Sequence, residues 1–411
     1  MISLDVKMAW RNIWRHPRRT LLTTLAIAFA CVLLIFMLSF QFGSYEAMIN
    51  ASIKIHTGHL QVQADGYQEK NNIRRVIEDP QVVQQLLAGI PAVVASAPRA
   101  RAFALVSSDD RSYGILVEGI DPLAETRVST LSSIIHEGAY LEDAPGGGEL
   151  PKALMGHLLA RNLKAEVGDE LTVLGQARDG SVAATVVTVG GVYRSGMDDY
   201  DRSAIQIPLA VFQEVFAMEG AVHEIVVVGK HLADVGPLQQ RLRPSLIGVS
   251  NEPPLVSLSW DSILPGLKQA IRMDLVSGGI SYLIHILVVA FSILNTFLMA
   301  IFERSHEFGV MMAIGTRPGR LTRLVLIESA GMTLVGIAAG LVLGCLLTAY
   351  FEVHGIPLGG SSEILSQFGI PDTLHPRLTI VSVAAGPLAV LLITLAAALY
   401  PALKLKRLRP V

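Results

Sequence analysis

Between Glu303 and Arg323 the chain carries a short charged segment, ERSHEFGVMMAIGTRPGRLTR, set between two long apolar runs. Ile280 to Phe302, before it, holds only His285 and Asn295 as strongly polar residues, and Ala330 to Phe351, after it, carries no charge. Crossing the hydrocarbon core of a bilayer as a helix takes about 20 residues. Each run therefore predicts a transmembrane helix, and the segment between them is confined to one membrane surface. Arg304, Arg317, Arg320 and Arg323 assign that surface to the cytoplasm, because short loops rich in Lys and Arg stay inside. Phe308, Met311, Met312 and Ile314 fall on roughly one helical face, and Gly315 ahead of Thr316-Arg317-Pro318 reads as a helix stop. The expectation is a short cytoplasmic helix whose exposed apolar face is covered by a cytosolic partner.

Composition supports the membrane reading. Charged residues make up 17% of the chain and hydrophobic ones 51%, whereas soluble domains are charged at about one residue in four. A net charge of −2 argues neither for nor against nucleic acid, so the distribution decides. Lys7, Arg11, Arg15, Arg18 and Arg19 crowd the N-terminus against a lone Asp5, and Lys404, Lys406, Arg407 and Arg409 close the chain without an acid. The loop from Phe351 to Leu378 holds Glu352, Glu363 and Asp372 with one base, Arg377. Every basic patch borders an apolar run, which reports topology, and no nucleic-acid partner is expected. Cys31 and Cys345 both lie inside apolar runs, which excludes a disulfide framework.

Residues 1–19 read as a cytoplasmic amphipathic helix, with Leu4, Met8, Ile13 and Trp14 toward lipid and Lys7, Arg11, Arg15 and Arg18 toward phosphates. Pro17 ends it before a first span at 20–43. A cleaved signal peptide competes with this, but the apolar run is too long for its core and SFQFGSYEA lacks a small-x-small cleavage site. From 44 to 267 the texture changes to short alternating runs: HLQVQ (59–63), YGILVEG (113–119), ELTVL (170–174), AATVVTVGGVY (183–193), SAIQIPL (203–209) and HEIVVVG (223–229). Helical stretches at Gln81–Leu87, Lys152–Leu163 and Leu209–Met218 lie between them. This predicts a large mixed α/β domain with its own core, inserted between the first two transmembrane helices and outside the cytoplasm. EDAPGGGELP (142–151) marks an exposed turn or a boundary between two lobes. The rest reads as a stalk and second span (268–302), the charged segment (303–320), a third span (321–352), a loop (353–376), a fourth span (377–403) bent at Gly386-Pro387, and a tail (404–411). The whole is an α-helical membrane protein with four transmembrane helices and both termini inside. In the third span Gly336, Gly340 and Gly344 recur every fourth residue, which lets another helix, of this chain or a second one, approach closely.

Candidate chemistry is sparse. No G-x-x-x-x-G-K-[ST] occurs; the stretch from Gly220 to Lys230 has the wrong spacing, so no Walker-type nucleotide site is expected in this chain. His56, His59 and Asp65 lack the further ligands of a metal site. Asp198, Asp199 and Asp201 around Tyr200 lack the spacing and the closing Glu of a calcium loop, and read as a solvated turn. No catalytic set is readable, and no enzyme activity, metal or resident cofactor is expected. Within the apolar runs, Glu328 is expected to pair with Arg323 or with an arginine of another chain, and His285 to face a helix interface.

NTFLMAIFERSHEFGVMMAIGTRPGRLTRLVLIES (295–329) closely resembles the FtsX-like permease domain. There a span runs into E-R-x-x-E-x-G-x-x-x-A-x-G, matched by Glu303, Arg304, Glu307, Gly309, Ala313 and Gly315. The tail YPALKLKRLRPV (400–411) is similar to that domain's closing motif at Pro401, Ala402, Leu408, Pro410 and Val411. VEGIDP (117–122), MGHLLARNLKAEVGDELTVL (155–174) and GVYRSGMDDYDRSAIQIPL (191–209) look like the periplasmic core domain of macrolide-exporter and lipoprotein-release permeases. The resemblance implies an ABC-transporter permease of the mechanotransmission type in the bacterial inner membrane. Two such subunits, identical or paired with a relative, would bind a dimer of a separate cytosolic ATPase that holds the ATP and Mg. Glu303, Arg304, Glu307, Phe308, Met311, Met312 and Gly315 would form the coupling helix on that ATPase. Stalk helices would carry motion to a two-lobed periplasmic domain, its inserted lobe at roughly 130–220. The implied cargo is lipoproteins, lipids or peptides, and the further partners are membrane lipids and a periplasmic chaperone or adaptor. The same family also implies two alternatives: a transducer controlling periplasmic cell-wall hydrolases, whose outer domain is much smaller, and an efflux permease working with a tripartite adaptor.

Overall fold

A computed structural model of the chain describes residues 4–15, 17–109, 111–142, 149–249, 253–357 and 373–404. In chain order α1 (Leu4–Arg15) and α2 (Pro17–Ser52) lead through a π-turn (Ile53–Thr57) into β1 (Leu60–Ala64), α3 (Tyr67–Lys70) and α4 (Pro80–Ala88). Next come β2 (Val93–Ser107), β3 (Ser112–Ile120), α5 (Pro122–Val128), β4 (Ile135–Gly138), β5 (Lys152–Gly156), α6 (His157–Leu163), β6 (Glu170–Gln176) and β7 (Val182–Tyr193). They are followed by α7 (Asp198–Ser203), β8 (Ala204–Pro208), α8 (Leu209–Val215), β9 (Glu224–Gly229), α9 (Val235–Leu246), β10 (Leu255–Ser259) and α10 (Trp260–Ile263). The chain closes with α11 (Pro265–Glu303), α12 (Ser305–Ala313), α13 (Pro318–His354), a two-strand ladder of β11 (Ile356–Pro357) and β12 (Thr373–Leu374), and α14 (Ile380–Lys404). Two compact units result: a helical one (4–47, 270–357 and 373–404 among the described residues) and an α/β one (48–269).

In the helical unit α2, α11, α13 and α14 contain segments long and apolar enough to cross a membrane. Pro17 has no N–H to continue the ladder of α1, and the hydroxyl of Thr20 donates to the Ile13 carbonyl at 2.6 Å across the break. Ala9 and Ile13 are buried, with Ile13 packed where α13 offers only Gly331. Ile13 therefore faces protein, where sequence reading turned it to lipid; among the described side chains of α1 the exposed apolar ones are Met8, Trp10 and Trp14. The unit's core joins Ile13, Ile27, Ala30, Cys31, Leu34, Ile293, Met332 and Val390, drawn from α1, α2, α11, α13 and α14. Polar links sit at one end of this core, where Tyr45 on α2 donates to Asp274 on α11 at 2.6 Å.

Gly336, Gly340 and Gly344 of α13 lie against α2. A Cβ on Gly336 would stand 2.8 Å from Ile27, one on Gly344 3.1 Å from Ile35, and one on Gly340 2.6 Å from Cys31 Cβ and 2.7 Å from the Ala28 carbonyl. Backbone cannot retreat as a side-chain tip can, so Gly340→Val should destabilise the helical unit by about 1–3 kcal/mol or more. Thermal unfolding of the full chain in detergent should show the drop, with Leu343→Ala on the exposed face of the same helix changing little; equal melting of G340V and wild type would refute the packing.

The α/β unit is organised by one sheet in the order β10-β1-β9-β2-β3-β8-β5-β7-β4, with β6 spanning from β2 to β7. Pairing is antiparallel except for β3 with β8 and β5 with β7. The 15-residue β2 is the common strand: its first half pairs β9 and its second half pairs β3 and β6. Two larger cores and two smaller clusters pack on the sheet. Of the larger, one includes Val106, Val117, Leu171, Val187, Ile205, Phe212 and Phe216; the other includes Leu60, Val62, Leu87, Ile225, Val227, Leu238 and Leu242.

Candidate functional site

The charged segment folds back on itself. Arg304 sits between α11 and α12, outside either helix (φ −99°, ψ 5°). Its Nη1 donates to both oxygens of Glu328 on α13 at 3.1 and 2.9 Å, and its Nε donates to Glu307 at 3.1 Å. The guanidinium also lies 5.2 Å from the centre of the Phe308 ring. Arg304 is 9% exposed and Glu328 3%, a depth at which charges persist only when paired. Glu328 thus bonds Arg304, and not the Arg323 that sequence proximity suggested; five residues separate the latter pair along α13, about 1.4 turns, and Arg323 is exposed.

The apolar face expected to await a partner is largely covered by the chain itself. Phe308 is 1% exposed and packs with Leu321 and Val325 of α13, joined by Met311 and Met312. The cause is the turn: Gly315 (φ 99°) brings Gly315 N–H to Met312 O and Thr316 N–H to Met311 O, and Pro318 opens α13 alongside. What remains outward is a mixed surface of Glu303, His306, Glu307, Val310 and Ile314, the last 81% exposed. Of the residues singled out in sequence, Arg304, Phe308, Met311 and Met312 thus converge on α13, Glu303 and Glu307 stay on the rim, Gly315 makes the turn, and Gly336, Gly340 and Gly344 meet α2.

The α/β unit holds a second constellation that sequence reading missed. Arg99 and Arg101, on one face of β2, are ringed by Glu118 of β3, Glu125 of α5 and Glu224 of β9. Arg99 grips Glu125 with two bonds, Nε at 2.9 Å and Nη2 at 2.5 Å. Arg101 donates to Glu118 at 2.9 Å and pairs with Glu224 at 2.8 Å. Both arginines also hold the π-turn: Arg99 donates to the His56 carbonyl, and Arg101 Nη2 to His56 Nε2 at 2.5 Å. Tyr200 and Gln206 complete Glu118 at 2.7 and 3.1 Å. Burial alone would raise the Glu118 carboxyl, but the cations around it hold it down to about 2. His56 in its charged form, Arg101 and Arg99 supply that charge, and the Tyr200 hydroxyl adds a bond; burial lowers His56 itself to about 3. Glu224, with burial as the dominant influence, moves the other way and is raised. Two arginines facing three carboxylates leave one in excess, and Glu224 Oε1 has no hydrogen-bond partner.

Nor is the aspartate-rich stretch a solvated turn. It is α7, and Asp201 is fully buried, accepting from the Ser195 N–H (3.0 Å) and Oγ (2.5 Å) with His157 Nδ1 at 2.9 Å. His59 stands apart from His56, its Nδ1 accepting from the Gly229 N–H. His285 bonds back to the Ser281 carbonyl within α11. The boundary stretch at 142–151 lies mostly outside the described residues, as do the loop at 358–372 and the tail from 405.

A family model for the MacB-like periplasmic core domain matches residues 20–245, more than half of the chain, and one for the FtsX-like permease C-terminal domain matches 279–410. The chain belongs to the FtsX-like permeases with a MacB-like core. Similar relatives include the lipoprotein-releasing system transmembrane protein LolC of Xylella fastidiosa, 24% identical over 94% of this chain and 91% of that protein. The corresponding LolE of Haemophilus influenzae is 25% identical over 94% and 92%. Among solved structures, the periplasmic region of MacB from Actinobacillus actinomycetemcomitans is 14% identical, covers 53% of this chain and 94% of its own, and has a TM-score of 0.36. The chain is therefore an ABC-transporter permease. Within an FtsX-like permease, the E-R-x-x-E motif acquires a structural meaning here: its arginine and second glutamate are bonded to each other, and the arginine reaches on to α13.

Proposed function

We propose that this permease crosses the inner membrane four times with both termini in the cytoplasm, and that α12 is the coupling helix on a separate cytosolic ATPase dimer holding ATP and Mg. The carrying observation is that α12 is tied to α13 through Phe308 and, at its N-cap, through Arg304, which bonds both Glu307 and Glu328, while Glu303, His306, Glu307, Val310 and Ile314 of this segment stay outward. A helix held this way passes a push to the span behind it instead of yielding. Two permease subunits, identical or related, stand over two ATPases. ATP closes that dimer, which favours one packing of the spans over another and moves the outer unit. Similarity over nearly the full length to lipoprotein-releasing proteins supports lipoproteins or other lipid-linked molecules as the cargo, taken at the outer face, with a periplasmic acceptor beyond.

The test is copurification and stimulated ATP hydrolysis. The full chain, purified from its own membrane, should retain an ATPase whose turnover it raises. Ile314→Asp puts a charge on the outward face, away from the Arg304 pairs, and should lower retention or stimulation by about tenfold with unchanged thermal unfolding. A complex that never retains an ATPase, or a cysteine at 310 labelled only from outside the cell, would end this reading.

A further inference from the structure

The helical unit has a groove of about 510 Å³ between α13 and α14, lined by Arg323, Leu326, Ile327, Ala330, Leu395 and Ala396. The four α13 residues fall at i, i+3, i+4 and i+7, so they share one helical face. Everything in the groove is apolar except the arginine at its mouth. That arginine is the one whose expected partner is taken, since Glu328 bonds Arg304. Among the described residues Arg323 makes neither an ion pair nor a hydrogen bond.

We propose that this groove binds one anionic phospholipid, its phosphate on Arg323 and part of an acyl chain along Leu326, Ile327 and Ala330. The inference rests on reading α13 and α14 as membrane spans. Arg323 lies five residues into α13, about 8 Å from its start, which sets the guanidinium where headgroup phosphates lie once Pro318 is at the cytoplasmic surface. From Arg323 to Ala330 the wall runs about 10 Å, a stretch that hydrocarbon fills and water does not. A guanidinium is weakly hydrated and pairs with two phosphate oxygens at once. Basic pockets between spans on the cytoplasmic side are the general form of an anionic-lipid site. Charge complementarity selects this occupant over a second copy of the chain, which would lay an apolar helix in the groove and leave Arg323 without an anion.

The probe is the full chain, delipidated in detergent and titrated with phosphatidylglycerol or with phosphatidylcholine of the same acyl composition, with adducts counted by native mass spectrometry. Wild type should retain one phosphatidylglycerol in preference to phosphatidylcholine. Arg323→Gln should weaken the phosphatidylglycerol adduct about fivefold and leave phosphatidylcholine unchanged. Arg323→Lys should recover most of the preference, and Ala330→Phe, which fills the groove, should weaken both lipids. The control is Arg317→Gln, exposed but outside the groove, which should have no effect. Equal phosphatidylglycerol retention by R323Q and wild type overturns the proposal, and so does an equal loss in R317Q, which would make the effect general surface charge. Lipid adducts that vanish as the chain dimerises would assign the groove to a second copy instead. A wild-type chain that cannot be held in lipid nanodiscs at all would refute the membrane reading beneath it, separately from the lipid site.

Discussion

Replacing Glu125 with glutamine should cost the α/β unit about 3–5 kcal/mol, the usual consequence of removing one partner of a buried ion pair. Arg99 is 2% exposed and spends two of its bonds on Glu125. A glutamine returns one oxygen and a mismatched amide, leaving a buried cation undercompensated beside the π-turn it holds. Urea unfolding of the full chain in detergent, followed by proteolysis of residues 48–269, should show the loss; a shift below 1 kcal/mol would mean that Arg99 finds a ready substitute in Glu224, which lies 3.8 Å from it. Glu224→Gln should behave oppositely. Burial raises the Glu224 carboxyl above its ordinary 4.5, so its protonated form is the one the fold prefers. That stabilisation is complete below the ordinary value and is lost as pH rises through the folded one. The groups facing it are Arg101, Arg99, Glu118 and Glu125. E224Q should therefore match wild type in acid, equal or exceed it at neutral pH, and flatten the pH dependence of unfolding.

The second large effect is expected at the clamp. Glu328→Ala leaves Arg304 buried with only the rim carboxylate of Glu307, at a cost of about 3 kcal/mol that falls on the contact between α12 and α13. Backbone amides of 305–313 should then exchange with solvent about a hundredfold faster, read by hydrogen exchange on the full chain in nanodiscs. Exchanging the charges, Arg304→Glu with Glu328→Arg, should restore part of the protection, which simple loss of packing would not allow. If exchange in E328A equals wild type, Phe308 alone holds the helix.

The four apolar helices and the charged break between the second and third were legible because lipid imposes a length and a polarity that any reader of the chain can count. The buried charges were not. Glu125 lies 26 residues from Arg99, and Glu224 more than a hundred from Arg101; periodicity tells which face a side chain takes, never which distant strand supplies its partner. HLQVQ shows the limit well. Its alternation reads as one wet face, yet β1 is buried throughout, because β9 and β10 flank it and polar neighbours cover the glutamine side: Gln61 and Gln63 bond each other at 2.6 Å. One signal was available, since two arginines at i and i+2 in a strand of small and apolar residues share a face that water rarely wets. The face of α12 was misjudged for a different reason. Amphipathicity shows that Phe308 needs cover but not whose, and a glycine turn with a proline after it supplied the cover from the same chain.

Gly336 and Gly344 of α13 and Ile27 and Ile35 of α2 share a spacing of eight residues and mesh like the teeth of a rack, with Ile27 seated over Gly336, Ile35 over Gly344 and Cys31 over the Gly340 between them. A small axial slide would drive a branched side chain into bare backbone, so intermediate positions are forbidden. A shift of one notch, about 6 Å along the axis, would set Ile35 over Thr348 or Ile27 over Met332, so the pair has no second glycine seating. These two helices are therefore held in one axial register, and whatever moves in this protein carries them together.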